Sequence, residues 1–168
     1  MALLSFLTGQ TGYTVCLFGD RHFVETSQLI DEVLGPLPGA QYADRLAKLH
    51  ELVGEGLPAS VISRLEKSLQ LTAPQSARIL AVSETSRKRF KQTPRKRLDS
   101  AVSDRIMRVL STISEAVGIF GDRAKAIGWF KTLSPALGDR QPIDLMTSDP
   151  GTKLVRDELN RIRYGHWA

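Results

Sequence analysis

Arg87, Lys88, Arg89 and Lys91, followed after a short gap by Arg95, Lys96 and Arg97, form a run of cations with no acid between Glu84 and Asp99. Phosphate binding needs positive charge focused in this way, because affinity for DNA comes largely from releasing the counterions condensed on it. Ser83, Thr85 and Ser86 complete the candidate DNA-contact set. A charged stretch is equally what a solvated helix face looks like, so the run takes its meaning from the element that carries it.

Other chemistry is poorly supported. A nucleophile would have to be Cys16 with His22 or His50, and nothing brings them together; a lone cysteine in an apolar run is usually inert packing. Asp20 and His22 are too few ligands to make a metal site. No nucleophile elbow, P-loop, dinucleotide fingerprint or HExxH motif is present. The expectation is therefore a protein without enzymatic activity and without a cofactor. Trp129 and Phe130 fall in an apolar helical stripe and read as core rather than as a ligand pocket.

At 168 residues the chain suffices for one ordinary domain, or two very small ones sharing a core. Its 42% hydrophobic content allows it to fold alone, and a formal charge of +5 favours an anionic partner. The single Cys16 excludes an internal disulfide and fits a reducing cytosol. The stretch from Met1 to Phe18 has no Lys or Arg at its start and is interrupted by Thr8, Gln10, Thr11 and Thr14, so it reads as neither signal peptide nor membrane span. A cytoplasmic protein with no membrane association is expected.

The elements that must position these residues are helical throughout. Residues 1–40, broken by Gly9, Gly12, Gly19, Gly35, Pro36, Pro38 and Gly39, read as an arm or covering segment, with a short strand over Tyr13 to Phe18 and a short helix over Ser27 to Leu34. Leu46, Leu49, Leu52 and Val53 predict a helix from Tyr42 to near Gly54 or Gly56. Pro58 opens a second with a face of Val61, Ile62, Leu65 and Leu69, ending near Gln70. Thr72 and Gln75 have capping-box spacing before a helix carrying Ala77, Ile79 and Leu80, and Ser83 caps the next, from Glu84 to about Gln92. The last three of these helices, all short, match a helix-turn-helix, whose third helix is the usual DNA reader. Ala81 stands where such turns often use glycine, so the turn is either strained or differently shaped.

Asp99 or Ser100 starts a longer helix with Val102, Ile106, Val109, Leu110, Ile113 and Val117 in one stripe, ended by Gly118. A helix from about Asp122 to Thr132 and a short one opened by Pro142 follow. Asp149 and Pro150 then cap a last helix presenting Leu154, Val155, Leu159 and Ile162, which leaves Gly165, His166, Trp167 and Ala168 as a free end. The expected class is all-α, in three parts: the arm, a helix-turn-helix DNA-binding domain over 41–97, and a helical domain with a C-terminal tail over 98–168.

From Gly56 to Ala168 the chain resembles the Xre/MbcA/ParS-like antitoxins, partners of RES-domain toxins. The residues that carry this are Gly56-Leu57-Pro58, the block from Leu98 to Arg105, Phe120-Gly121-Asp122, Ala126 to Phe130, Pro135 to Gly138, Pro142 to Leu145, and Arg161 to Ala168. The resemblance implies an Xre-like DNA-binding part joined to a toxin-binding domain, a homodimer within a larger complex, and repression of the antitoxin–toxin operon through operator DNA. It also implies a RES-domain toxin that uses NAD, with the antitoxin's C-terminal end obstructing the NAD cleft.

That role would fall to Tyr164, Gly165, His166, Trp167 and Ala168, with Arg161 and Arg163 either pairing with toxin carboxylates or favouring the negative end of the last helix. Independently, an exposed Trp167 suits an anchor in a partner's pocket. The competing reading is a free-standing transcription regulator whose C-terminal domain dimerises or binds a small ligand.

Overall fold

The structure, a computed structural model, describes residues 28–37 and 42–165. Cys16, Asp20, His22, the strand expected over Tyr13 to Phe18, and His166 to Ala168 lie outside the described residues. What is described is all-α. Helices α1 (28–34), α2 (Tyr42–Glu55), α3 (Ser60–Ser68), α4 (Ala73–Leu80), α5 (Glu84–Gln92), α6 (Ser100–Phe120), α7 (Arg123–Lys131), α8 (Pro142–Leu145) and α9 (Asp149–Tyr164) follow in order, with a 3-10 turn at Pro135–Leu137. Among the described residues there are no strands, only isolated bridges at Pro58–Arg97 and Ser134–Arg140.

The long helix α6 organises the rest. Its 21 residues make a rod of roughly 31 Å at 1.5 Å per residue. Val102, Ile106, Val109, Leu110, Ile113 and Val117 are all buried along it, and full burial of such a side chain contributes about 1.5–3 kcal/mol. Helices α2 and α4 pack on it, as do α7 and α9. The glycine expected to stop it, Gly118, is a buried residue inside the helix; Gly121, at φ 64°, is the terminator.

Local signals explain most helix boundaries. Thr72 accepts a hydrogen bond from the Gln75 N–H, and the Gln75 side chain accepts one from the Thr72 N–H, the reciprocal pattern expected. Ser83, Asp99 and Asp122 cap α5, α6 and α7. Helix α9 is capped by Ser148 rather than by Asp149, which forms its first turn. Pro58 precedes α3 instead of opening it, because the Leu57 and Pro58 backbone is paired with the α5–α6 linker.

The α2 stripe sits shallowly: Leu46 is 46% exposed, and Leu49, Leu52 and Val53 are only half-buried. Helix α1 lies deeper than a covering arm would. Leu29 and Val33 belong to the same core cluster as α3, α4 and α6. Glu32 accepts hydrogen bonds from Arg123 of α7 and from the Ser68 hydroxyl, and these hold its carboxyl below the usual glutamate range. Arg123 also donates to the Ser68 carbonyl at 2.9 Å, and Lys131 to that of Gln70 at 2.7 Å. Two cations of α7 thereby satisfy carbonyls at the end of α3 that have no helical partner.

Candidate nucleic-acid interface and C-terminal face

Helices α3, α4 and α5 pack on one another as a helix-turn-helix. The α4–α5 turn keeps its tight form with an alanine in it: Ala81 adopts φ 51° and ψ 43°, and its N–H and that of Val82 bond back to the Arg78 and Ala77 carbonyls. The turn is therefore strained rather than reshaped, since a left-handed conformation costs an L-residue roughly 1–2 kcal/mol.

Helix α5 has two different faces. Arg87, Phe90 and Lys91, three and four residues apart, turn toward α3. Arg87 is buried and donates to Glu66 at 2.8 Å; Lys91 reaches the other Glu66 oxygen at 2.9 Å. Burial pushes the Glu66 carboxyl upward, but the hydrogen bonds from Lys91 and Arg87 outweigh it and the net shift is downward. Arg87 thus belongs to the interior of the unit, unlike the rest of the run, because a half-buried glutamate 21 positions earlier holds it there.

Thr85, Lys88 and Arg89 face solvent, as do Arg95 and Lys96 beyond the helix, and none of these cations has an acidic partner among the described residues. Ser83 is exposed and occupied as the cap, with Ser86 half-buried against it at 3.0 Å. Arg97 is exposed but donates to the Gly56 carbonyl at 2.7 Å and pairs with Glu55 at 3.3 Å.

The basic linker after α5 is built into the fold. Ala59 N–H bonds to the Lys96 carbonyl, Ser60 N–H to that of Pro94, and Leu98 N–H to that of Leu57, with the Leu57 N–H on the Ser103 hydroxyl. At Gly56, φ is +85° and a Cβ would collide with the Leu98 carbonyl oxygen. Two separated sequence blocks, Gly56-Leu57-Pro58 and Leu98 to Arg105, are thus partners in one clasp, which fixes Arg95 and Lys96 beside α5.

The second face is the exposed side of α9. Arg161 pairs with Glu158 at 2.7 Å, while Arg163 lies 3.8 Å from Glu115 of α6, which also accepts from Arg156. Tyr164 is 67% exposed, and Gly165 closes the helix at φ 67°. Val155 and Leu159 are buried, but Leu154, expected in the same stripe, is 54% exposed. Phe130 is core; Trp129 is half-buried, edge-on to it at 5.0 Å and tilted against Phe120 at 5.9 Å.

Sequence reasoning missed Glu66, Glu115, and Arg78, which joins α4 to Asp144 of α8 at 3.0 Å. Among the described residues no three His, Cys, Asp or Glu side chains gather as a metal would require, and no helix is long and apolar enough to cross a membrane. His50 stands exposed on α2.

The architecture is a helix-turn-helix followed by a small helical domain built on the same long helix. Residues 48–111 match the family described as the antitoxin Xre-like helix-turn-helix domain, and residues 115–165 match the antitoxin Xre/MbcA/ParS C-terminal toxin-binding domain. The chain is similar to Antitoxin Xre of Yersinia enterocolitica serotype O:8 / biotype 1B, 38% identical over 64 residues, which are 38% of this chain and 43% of that protein. It is also similar to Antitoxin Xre of Photorhabdus laumondii subsp. laumondii, 25% identical over 118 residues, 70% of this chain and 79% of that one. With both segments matched in order, the chain belongs to the Xre/MbcA/ParS-like antitoxins.

Proposed function

We propose that this protein is a cytoplasmic, non-enzymatic antitoxin that neutralises a RES-domain, NAD-using toxin by direct binding and represses its own operon as a homodimer. The observation that carries the reading is the pairing, on one α6 scaffold, of two exposed surfaces. One is the cationic face of α5 and its linker; the other is the C-terminal end of α9, within the segment that matches a toxin-binding domain. DNA is engaged by Ser83, Thr85, Ser86, Lys88, Arg89, Arg95 and Lys96. Arg87 supports that surface from behind, and Lys91 and Arg97 lie at its margin. The toxin is engaged by Arg161, Arg163 and residues 164–168, the tail obstructing the NAD cleft.

The test is affinity capture of the tagged chain from its native cell, with mass identification of stoichiometric partners and an NAD-consumption assay on the partner alone and in complex. A RES-domain partner whose NAD-consuming activity is suppressed in the complex supports the reading. Operator binding with no protein partner identifies a free-standing regulator instead. Truncation before Tyr164 is expected to abolish neutralisation and spare DNA binding.

A further inference from the structure

The segment that the antitoxin reading seats in the toxin, Tyr164 to Ala168, is too short to hold a protein partner alone. A stable interface buries about 800 Å² per partner, contributed by roughly 20–30 residues. The neighbouring surface must supply the remainder. On the described part of the chain the large apolar side chains left exposed are Leu46, Leu133, Leu154 and Tyr164. Leu133, at 59% exposure, and Leu154, at 54%, line one groove of about 740 Å³ formed by the loop after α7, by α8 and by the first half of α9. Leu145 lines it too, and Asp139, Arg140 and Asp144 supply polar groups.

The groove and Arg161 lie on one side of α9. Arg161 lies seven residues after Leu154, close to two whole helical turns, so both share one stripe of α9, which Gly165 then closes. The distance along the helix from Leu154 to Gly165 is roughly 16 Å, within the breadth of one interface. Every groove residue also falls inside the 115–165 segment that matches a toxin-binding domain.

Resting on the antitoxin reading, we propose that this groove is the second half of the toxin footprint. It takes an apolar side chain of leucine, methionine or phenylalanine size projecting from the toxin, while the tail enters the cleft. Leu133 and Leu154 grip that side chain, and the polar groups around it bond the flanking toxin backbone. Interfaces commonly draw most of their energy from a few side chains seated in well-packed, desolvated pockets.

The experiment measures affinity of the full chain for the co-purified RES-domain toxin, comparing the unaltered chain with Leu133→Asp, Leu154→Asp, and Leu154→Met as the conservative control. Each aspartate variant is expected to weaken toxin binding about tenfold or more, with Leu154→Met close to unaltered. Melting temperature, operator affinity and oligomeric state should not move, because both side chains face solvent. Unchanged toxin affinity in the aspartate variants, with tail truncation still abolishing neutralisation, overturns the groove assignment and leaves the antitoxin reading standing. Dissociation of a homo-oligomer in the aspartate variants, with toxin affinity intact, overturns it in favour of a second copy of this chain. Failure of the unaltered chain to bind the toxin overturns the antitoxin reading itself, and the groove assignment with it.

Discussion

Glu66 and Arg87 form an ion pair across the α3–α5 contact, 2.8 Å long, with side-chain exposures of 11% and 8%. A cation that looks available to DNA is therefore committed to holding the recognition helix. Removing one partner of a buried pair leaves the other charge uncompensated and typically costs about 3–5 kcal/mol. Glu66→Gln, which keeps the size and one acceptor, should lower stability by about 3 kcal/mol in denaturant titration at neutral pH.

The same pair has a pH signature. Because the folded chain lowers the Glu66 pKa, its contribution is fully present above the ordinary glutamate value of 4.5 and is lost as pH falls through the lower folded value. The stability gap between the unaltered chain and Glu66→Gln should narrow on acidification from pH 7 to pH 3. A constant gap would mean that the charge of Glu66 contributes nothing.

Substitutions in the cationic run should separate by burial. Replacing exposed Lys88 and Arg89 by alanine should reduce the slope of log affinity against log salt by about 2, at about 0.9 per phosphate contact, with the melting temperature unchanged. Arg87→Ala should lower the melting temperature. Fluorescence anisotropy over a salt series with operator DNA, beside a thermal melt, checks both.

Ala81→Gly should stabilise the chain by about 0.5–1 kcal/mol. Relief of left-handed strain exceeds the extra chain entropy of glycine at such a position. Loss of stability would show that the alanine methyl group contributes packing to the turn.

Gly151→Ala should destabilise by about 2–3 kcal/mol. A Cβ at this position collides with the backbone carbonyl of Leu145, and a backbone atom gives way less readily than the end of a side chain. Chemical denaturation measures the loss, and toxin affinity should fall with it as α8 and α9 separate.

The sequence made helix starts legible where a hydroxyl or carboxylate acts on its own neighbours, as at Thr72, Ser83 and Asp122, since capping is a local interaction. The α6 stripe was equally legible because six apolar residues repeat on one side of a long helix. Leu154 was grouped with the buried stripe although Val155, Leu159 and Ile162, at i, i+4 and i+7, define it and leave Leu154 about 100° to one side of Val155. Arg87 was hidden by its neighbours in the run. Its spacing from Phe90, which needed burial, was the available signal, whereas Glu66 gave none. The role of α1 was illegible because its anchors, Glu32 with Arg123 and Leu29 with Val33 in the core, depend on contacts far away in sequence.

Helix α6 has one further consequence. The first matched segment ends at residue 111 and the second begins at residue 115, both inside this helix. Inserting a single residue there would turn everything downstream by about 100° and advance it by 1.5 Å, so the groove and the C-terminal end would point elsewhere relative to α5. The two halves are thus not beads on a flexible string, free to be exchanged at any junction. They behave like two blades on one shaft, and recombination between relatives preserves their mutual angle only where it also preserves the residue count of α6.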